Sequence, residues 1–341
     1  MKEMDRRYFF LTSGAVVGGA LLRPGTKAQS PNDRMETKHA YSLTRSVLKL
    51  VCISLLAVPP VEGQTSSVEL KVAAVQFRSR LDIKDNLKRM TEVLGRLAAE
   101  HVQVAAFPEC ALTSYDTPYI VSTPGTEIAA AEENLRQTCR DKKIAAVFGS
   151  VYKVNGHAYD AAVVFSSRGE LVERYGKVFL AGEGWAVPGN HIAYFELEGI
   201  PSTVIICHDE RYPELVRLPT MEGARIVYYI SSESGLRDEF KLAPYRAQLM
   251  ARAVENWVFV VAANAPANDD LTGSHGQSRI IAQDGNVMQE ASIFGEETVI
   301  STLELTSDTL GLMSDLLKGP MGDWWHSGVD WMMANRHKQL D

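Results

Sequence analysis

Val204-Ile205-Ile206-Cys207-His208-Asp209-Glu210-Arg211-Tyr212-Pro213-Glu214 is the stretch from which the rest of the chain can be read. A β-branched apolar run delivers Cys207 to its end, and four polar or charged residues follow at once. Tyr212-Pro213-Glu214 then opens a helix, with Pro213 at a first-turn position that tolerates its missing N–H. A strand, a sharp turn and a helix present a side chain at the turn, with the backbone N–H groups of the helix start beside it. That is a place for a nucleophile. A buried structural thiol fits the same stretch equally well and is the commoner fate of a free cysteine. The decision falls to the surrounding chain.

The chain has 341 residues, 45% of them hydrophobic and 23% charged, enough for a large core. Its net charge of −7 and the absence of a basic stripe argue against nucleic acid as a partner. The four cysteines, Cys52, Cys110, Cys139 and Cys207, are too few for a disulfide framework and form no CxxC pair that suggests zinc. No ligand cluster calls for a metal, and nothing calls for an organic cofactor.

Residues 1–64 read as an export leader. Arg6-Arg7 precede an apolar run from Tyr8 to Leu22, as in a twin-arginine signal. A second signal-like segment follows Met35, with a short apolar core from Leu50 to Val58 closed by Pro59-Pro60. That core is a signal h-region more readily than a membrane span. Translation starting at Met35 and a single long leader are both compatible with this pattern. Either implies a periplasmic or extracellular protein, beginning near Gln64 and without a stable membrane anchor. Three cysteines then remain, so at least one thiol is free.

The mature chain alternates strands and helices. Val68–Phe77 reads as a strand, and Asp82 as the N-cap of an amphipathic helix to about Glu100. Val102–Phe107 is a buried strand ending in Pro108-Glu109-Cys110. A carboxylate just past a strand end sits where α/β folds place chemistry, although a solvated loop glutamate is the commoner case. Glu127–Lys143 is a helix, and Ile144–Val154 and His157–Ser166 form a hairpin around Asn155-Gly156. Lys177 follows the strand Glu170–Tyr175 and stands between a glycine and an apolar run, which is unusual for a merely solvating lysine. A strand over His191–Leu197 precedes the cysteine strand. Beyond Pro213 come a helix to Glu222, strand Arg225–Ser232, helix Phe240–Asn256, strand Trp257–Ala263 and a hairpin of Gly276–Ala282 with Val287–Ser292. Residues from Leu312 onward show no clear period, and no internal repeat of 20–50 residues is evident. Helices mixed with hairpins imply two mixed sheets with helices outside.

Phe107-Pro108-Glu109, Tyr175-Gly176-Lys177 and Cys207-His208-Asp209-Glu210-Arg211-Tyr212-Pro213-Glu214, in this order, resemble the nitrilase superfamily of carbon–nitrogen hydrolases. Pro188-Gly189 and Gly276-Gln277-Ser278-Arg279-Ile280 match as well, and the resemblance spans about residues 68–305. It implies an α/β fold, a four-layer αββα sandwich over residues 65–310, and a homodimer or higher homo-oligomer. Residues 311–341 are then a C-terminal tail serving as dimer contact or lid. It also implies Cys207 as nucleophile, Glu109 as general base, Lys177 as oxyanion stabiliser and Glu183 as a second glutamate orienting lysine and substrate. Cys-His-Asp at the nucleophile is closer to amidases and N-carbamoyl amidohydrolases than to nitrile-cleaving members, which usually carry Cys-Trp-Glu. His208 and Arg211 are expected at the substrate. Arg211 fits a substrate carboxylate and a salt bridge supporting the turn equally. His208 and His275 suit pocket wall or structure better than catalysis, and Cys110 and Cys139 suit inert core thiols. Two departures from the family pattern bear on substrate: Phe179, where many members have His, and Ser231-Ser232-Glu233-Ser234, in place of a more apolar run.

The chemistry is coherent with these residues. A thiol of ordinary pKa, about 8.5, is mostly protonated at neutral pH and needs a base or a cation nearby. A carboxylate can take its proton and return it to departing ammonia or amine. The expected activity is hydrolysis of a small linear amide or N-carbamoyl compound through a thioester. Acyl transfer on the same scaffold, nitrile hydrolysis and a non-catalytic binding protein are the alternatives.

Overall fold

The computed structural model describes residues 67–237, 242–306 and 319–341. The leader segment assigned to residues 1–64 lies outside the described residues. Two six-stranded mixed sheets form the centre. The strands are β1 (Val68–Gln76), β2 (Val104–Ala106), β3 (Ala145–Val154), β4 (His157–Phe165), β5 (Leu171–Gly176) and β6 (Phe195–Leu197). They continue with β7 (Ile200–Ile206), β8 (Ile226–Ser231), β9 (Phe259–Asn264), β10 (Arg279–Ile281), β11 (Val287–Glu290) and β12 (Glu297–Leu305). One sheet runs β12-β1-β2-β3-β4-β5 and the other β6-β7-β8-β9-β10-β11. Read in those directions, both sheets pair antiparallel, parallel, parallel, antiparallel, antiparallel. The chain therefore repeats its topology although no repeat shows in its residues.

Period-two alternation sorts the side chains into layers. Val72 and Ala74 of β1 and Val204 and Ile206 of β7 point into the core between the sheets, with Tyr228 and Ile230 of β8. Ala73 and Val75 face outward onto α1 (Ile83–Ala99) and α3 (Gly125–Lys142). Ile205, Val227 and Tyr229 face outward onto α4 (Glu214–Met221) and α5 (Leu242–Asn256). The result is the αββα sandwich. Helix α1 begins where Asp82 accepts the N–H groups of Lys84 and Asp85, and it buries Met90, Leu94 and Leu97 as its spacing requires. The Asn155-Gly156 turn has φ of 50° and 82°, the left-handed pair of a tight hairpin.

Five elements differ from the sequence expectation. The strand at Val102–Phe107 is confined to Val104–Ala106, and that at His191–Leu197 to Phe195–Leu197. The short helix α2 (Thr117–Ser122), capped by Asp116, had no periodic signal of its own. Strand β12 went unread because it is an edge strand with exposed charged residues, paired with β1 far away in sequence. The C-terminal tail showed no clear period, yet its last described segment is helical. Residues Gly322–Asn335 form a helix, α6, with Met332 buried in the same outer core as α4. Tyr159 donates its hydroxyl hydrogen to the Asp341 carbonyl at 2.5 Å, which ties the chain end to β4. Trp and Met lie on several sides of α6, so no single stripe marks it as a helix.

Candidate active site

The chemistry-bearing residues leave strand ends on one side of both sheets. Glu109 follows β2, Lys177 follows β5 and Cys207 follows β7. Close backbone contacts fix the first two. Gly149 N–H donates to the Pro108 carbonyl at 3.0 Å, and a Cβ on Gly149 would stand 2.1 Å from the Cys110 nitrogen. Only glycine lets β3 run this close to the Glu109 turn. Gly189 does the same for Lys177: its N–H donates to the Lys177 carbonyl at 2.8 Å, and a Cβ there would meet the Gly176 oxygen at 2.0 Å. The Lys177 N–H in turn donates to the Asp160 carbonyl at 2.8 Å.

Lys177 is only 1% exposed. Its Nζ lies 2.6 Å from Glu109 Oε1, 2.5 Å from Glu183 Oε1 and 3.5 Å from Asp160 Oδ2. Burial alone favours the neutral amine. The charges of Glu109, Cys207 and Asp160 outweigh it and hold the pKa well above the ordinary lysine value. Glu109 is braced on its other oxygen by the Ser232 N–H at 2.7 Å. Glu183 accepts from the Tyr115 hydroxyl at 2.6 Å and from the Ala181 N–H at 2.5 Å. Burial raises its pKa, but Lys177, as charge and as donor, wins and keeps it below the ordinary glutamate value. Burial, and then the Glu109 charge, push the Asp160 carboxyl well above the ordinary aspartate range, against the Lys177 charge. Oxygens of Glu109, Asp160 and Glu183 lie within 4.8 Å of one another, close enough to hold a metal ion. The Lys177 ammonium already stands against all three, so this cluster is an ion-pair site around a lysine.

Cys207 opens a single 3-10 turn, Cys207–Arg211, between β7 and α4. Pro213 stands at the N-cap of α4, one position before the first turn expected for it. The φ of Cys207 is 45°, a left-handed conformation that a non-glycine residue holds only when its surroundings impose it. Asp209 imposes it. Its carboxylate accepts the Ile206 N–H at 3.2 Å, the Phe179 N–H at 2.9 Å and the Tyr175 hydroxyl at 2.8 Å. One buried carboxyl thus joins the cysteine turn to the lysine loop, and burial lifts its pKa to about 7 against these three donors. Phe179 stacks on Tyr212, with ring centroids 3.4 Å apart, and closes the same seam with an apolar face.

Burial, the Glu109 charge and, more weakly, those of Glu233 and Glu210 push the Cys207 thiol pKa well up, while Lys177 opposes them. The resting residue is a thiol, and attack requires that its proton be taken. The thiol borders a cavity of about 380 Å³ with His208, Glu210, Arg211, Glu233 and Tyr245 in its wall. The structure therefore brings Glu109, Lys177 and Glu183 together, lets Glu109 and Lys177 act on Cys207, and sets His208 and Arg211 at the cavity. His208 is held toward its neutral form by burial and by the Arg211 charge. Cys139 is an inert core thiol, its pKa pushed up to about 12 by burial. Cys110 is equally buried but is not remote: its thiol points to Asp160 Oδ1 at 3.7 Å. Sequence reasoning missed Tyr115, Asp160 and Asp209 as supports of the site. Asp160, a lone acid within the largely apolar strand β4, was the one legible signal among them.

Comparison with known proteins agrees with this geometry. The profile of the carbon-nitrogen hydrolase family matches residues 71–309. The chain is 29% identical over 211 residues to a 2-oxoglutaramate amidase of Bacillus subtilis (strain 168), covering 60% of this chain and 80% of that protein. It is 27% identical over 249 residues to an omega-amidase of Xenopus tropicalis, covering 68% and 87%. The structure resembles that of the amidase from Nesterenkonia sp. AN1 in complex with acrylamide, with TM-score 0.65 and 22% identity over 72% of this chain and 94% of that one. The chain belongs to the carbon-nitrogen hydrolase family, within the nitrilase superfamily. It is a hydrolase acting on carbon–nitrogen bonds other than peptide bonds, and it groups with amidase members.

Proposed function

We propose that this enzyme cleaves a small linear amide through a thioester on Cys207. The observation that carries the reading is the buried ammonium of Lys177, held by Glu109 and Glu183 at 2.6 and 2.5 Å beside a thiol that cannot ionise unaided. Glu109 takes the thiol proton as sulfur attacks the carbonyl carbon. Lys177 and the N–H groups at the start of the Cys207 turn face the oxyanion, each such donor being worth roughly 3 kcal/mol in other enzymes. Glu109 then gives its proton to the departing ammonia, which leaves the acyl group on sulfur. It next takes a proton from water as that water attacks the thioester, and the carboxylic acid and the thiol are released. Glu183, held low by Lys177, stays ionised and keeps the lysine aimed.

The relatives named as 2-oxoglutaramate amidase and omega-amidase support an amide over a nitrile. Export through the residue 1–64 leader and a homodimer complete the proposal, with exposed Trp324 and Trp331 on α6 available as an apolar contact face. Ammonia release from a panel of aliphatic amides, carbamoyl amino acids and nitriles tests the substrate class. The expected result is release from amides. Release from nitriles alone would overturn it, and a stable amide product formed from an added amine would show acyl transfer instead.

A further inference from the structure

The wall of the cavity beside Cys207 holds a second pair of acids, which the reaction above does not use. Glu233 and Glu210 are 5% and 1% exposed, and both line the cavity beside Cys207. Glu233 is held on both oxygens. The Tyr229 hydroxyl donates to Oε1, and His275 Nε2 lies 2.5 Å from Oε2. His275 is itself fixed by stacking on Tyr245, at 5.4 Å between centroids. Glu210 is held through its backbone, whose carbonyl accepts two bonds from Arg252, at 3.1 and 2.8 Å. Its Oε2 atom is buried and makes no hydrogen bond. A buried carboxyl oxygen without a donor is costly and is uncommon unless something else supplies the donor.

We propose that Glu210 and Glu233 form a subsite for a primary amino group carried by the substrate, several bonds from the carbonyl that Cys207 attacks. This rests on the amidase reading, since amine and amide must belong to one molecule. An alkylammonium brings three N–H donors, enough for the free Glu210 oxygen and a shared bond to Glu233. Charge favours it as well. With Glu210 protonated, the charges of Glu109 and Glu233 act on the Cys207 thiol against that of Lys177. Arg279 offsets part of the Glu233 charge. Burial and the neighbouring Glu233 keep Glu210 protonated to about pH 9, so the ammonium takes the place of that proton. The cation at the cavity, Arg211, stands on its exposed side and suits a carboxylate instead.

Three amides of nearly equal length separate these possibilities: 4-aminobutyramide, pentanamide, which replaces the ammonium by a methyl group, and succinamate, which replaces the aminomethyl end by a carboxylate. Their dissociation constants are measured by calorimetry on Cys207→Ala protein, so that the subsite is read even if the wild type releases no ammonia. A lack of turnover would count against the amidase reading alone. The expected result is that 4-aminobutyramide binds roughly tenfold or more tightly than pentanamide, as a charge-assisted hydrogen bond should give. That ratio should collapse toward one when Glu210→Gln or Glu233→Gln is added. Equal binding of amine and methyl compounds overturns the subsite. Preference for succinamate also overturns it and transfers recognition to Arg211. Should either glutamine variant fail to fold, the ratio in the Cys207→Ala protein alone decides.

Discussion

Burial turns Lys177 into a fixed charge. With its side chain removed from water, it has Glu109 and Glu183 as close partners, and each partner is anchored by a backbone N–H. Such a cluster holds its geometry before substrate arrives, which is what electrostatic stabilisation of an oxyanion requires. Glu109→Gln removes the proton acceptor and one of the two close carboxylates, and it should lower kcat by roughly 10²–10⁴. Initial rates checked against an unchanged circular dichroism spectrum measure this. Glu210 makes a prediction about stability. Its pKa is about 9 in the folded protein against an ordinary 4.5, so between those values the folded state binds the extra proton. Its contribution is therefore complete below about pH 4.5, declines as pH rises, and levels off above about 9. Denaturant melts across that window should show stability falling with pH, and Glu210→Gln should flatten the slope.

At the scale of elements, strand ends and two glycines do the positioning. Gly149→Ala places a methyl group against the backbone of Cys110, which cannot swing aside as a side chain would. Overpacking of this kind costs about 1–3 kcal/mol. It should also displace Glu109 and reduce activity by more than the lost stability explains, as thermal melts and rates on one preparation would show. These elements also mark how far the sequence could be read. The β-branched run before Cys207 and the period of α1 were legible because burial on a sheet or helix face writes itself into local spacing. Asp209 lay in plain view within the quoted stretch, yet its three donors come from Tyr175, Phe179 and Ile206. Two of those bonds join residues about thirty positions apart and leave no local pattern. Strand β12 was hidden for the same reason: its partner is β1, and its exposed face carries charge. The pair Glu210 and Glu233 could be named from sequence but not joined, since only the packing of β8 beside β7 brings them to one cavity.

Across the whole molecule, the two sheets repeat one pairing pattern, and the site draws on both. Glu109 and Lys177 come from one sheet, and Cys207 comes from the other. Neither half would be competent alone, so anything that loosens the packing between layers should act on the reaction. Helix α6 is an example outside the site. Met332 is fully buried against the layer that includes α4, and α4 directly follows the Cys207 turn. Met332→Ala should cost about 2–5 kcal/mol, read as a lower denaturation midpoint. Sedimentation of the purified protein should give twice the chain mass if the proposed homodimer forms, and a single chain mass would contradict that assembly.

The most direct test of the mechanism is the rate of ammonia release by Cys207→Ala on whichever amide the wild-type enzyme cleaves best. The account predicts a loss of at least roughly 10³-fold with the fold intact, because no other group among the described residues is placed to form the thioester. Turnover within tenfold of wild type would contradict it.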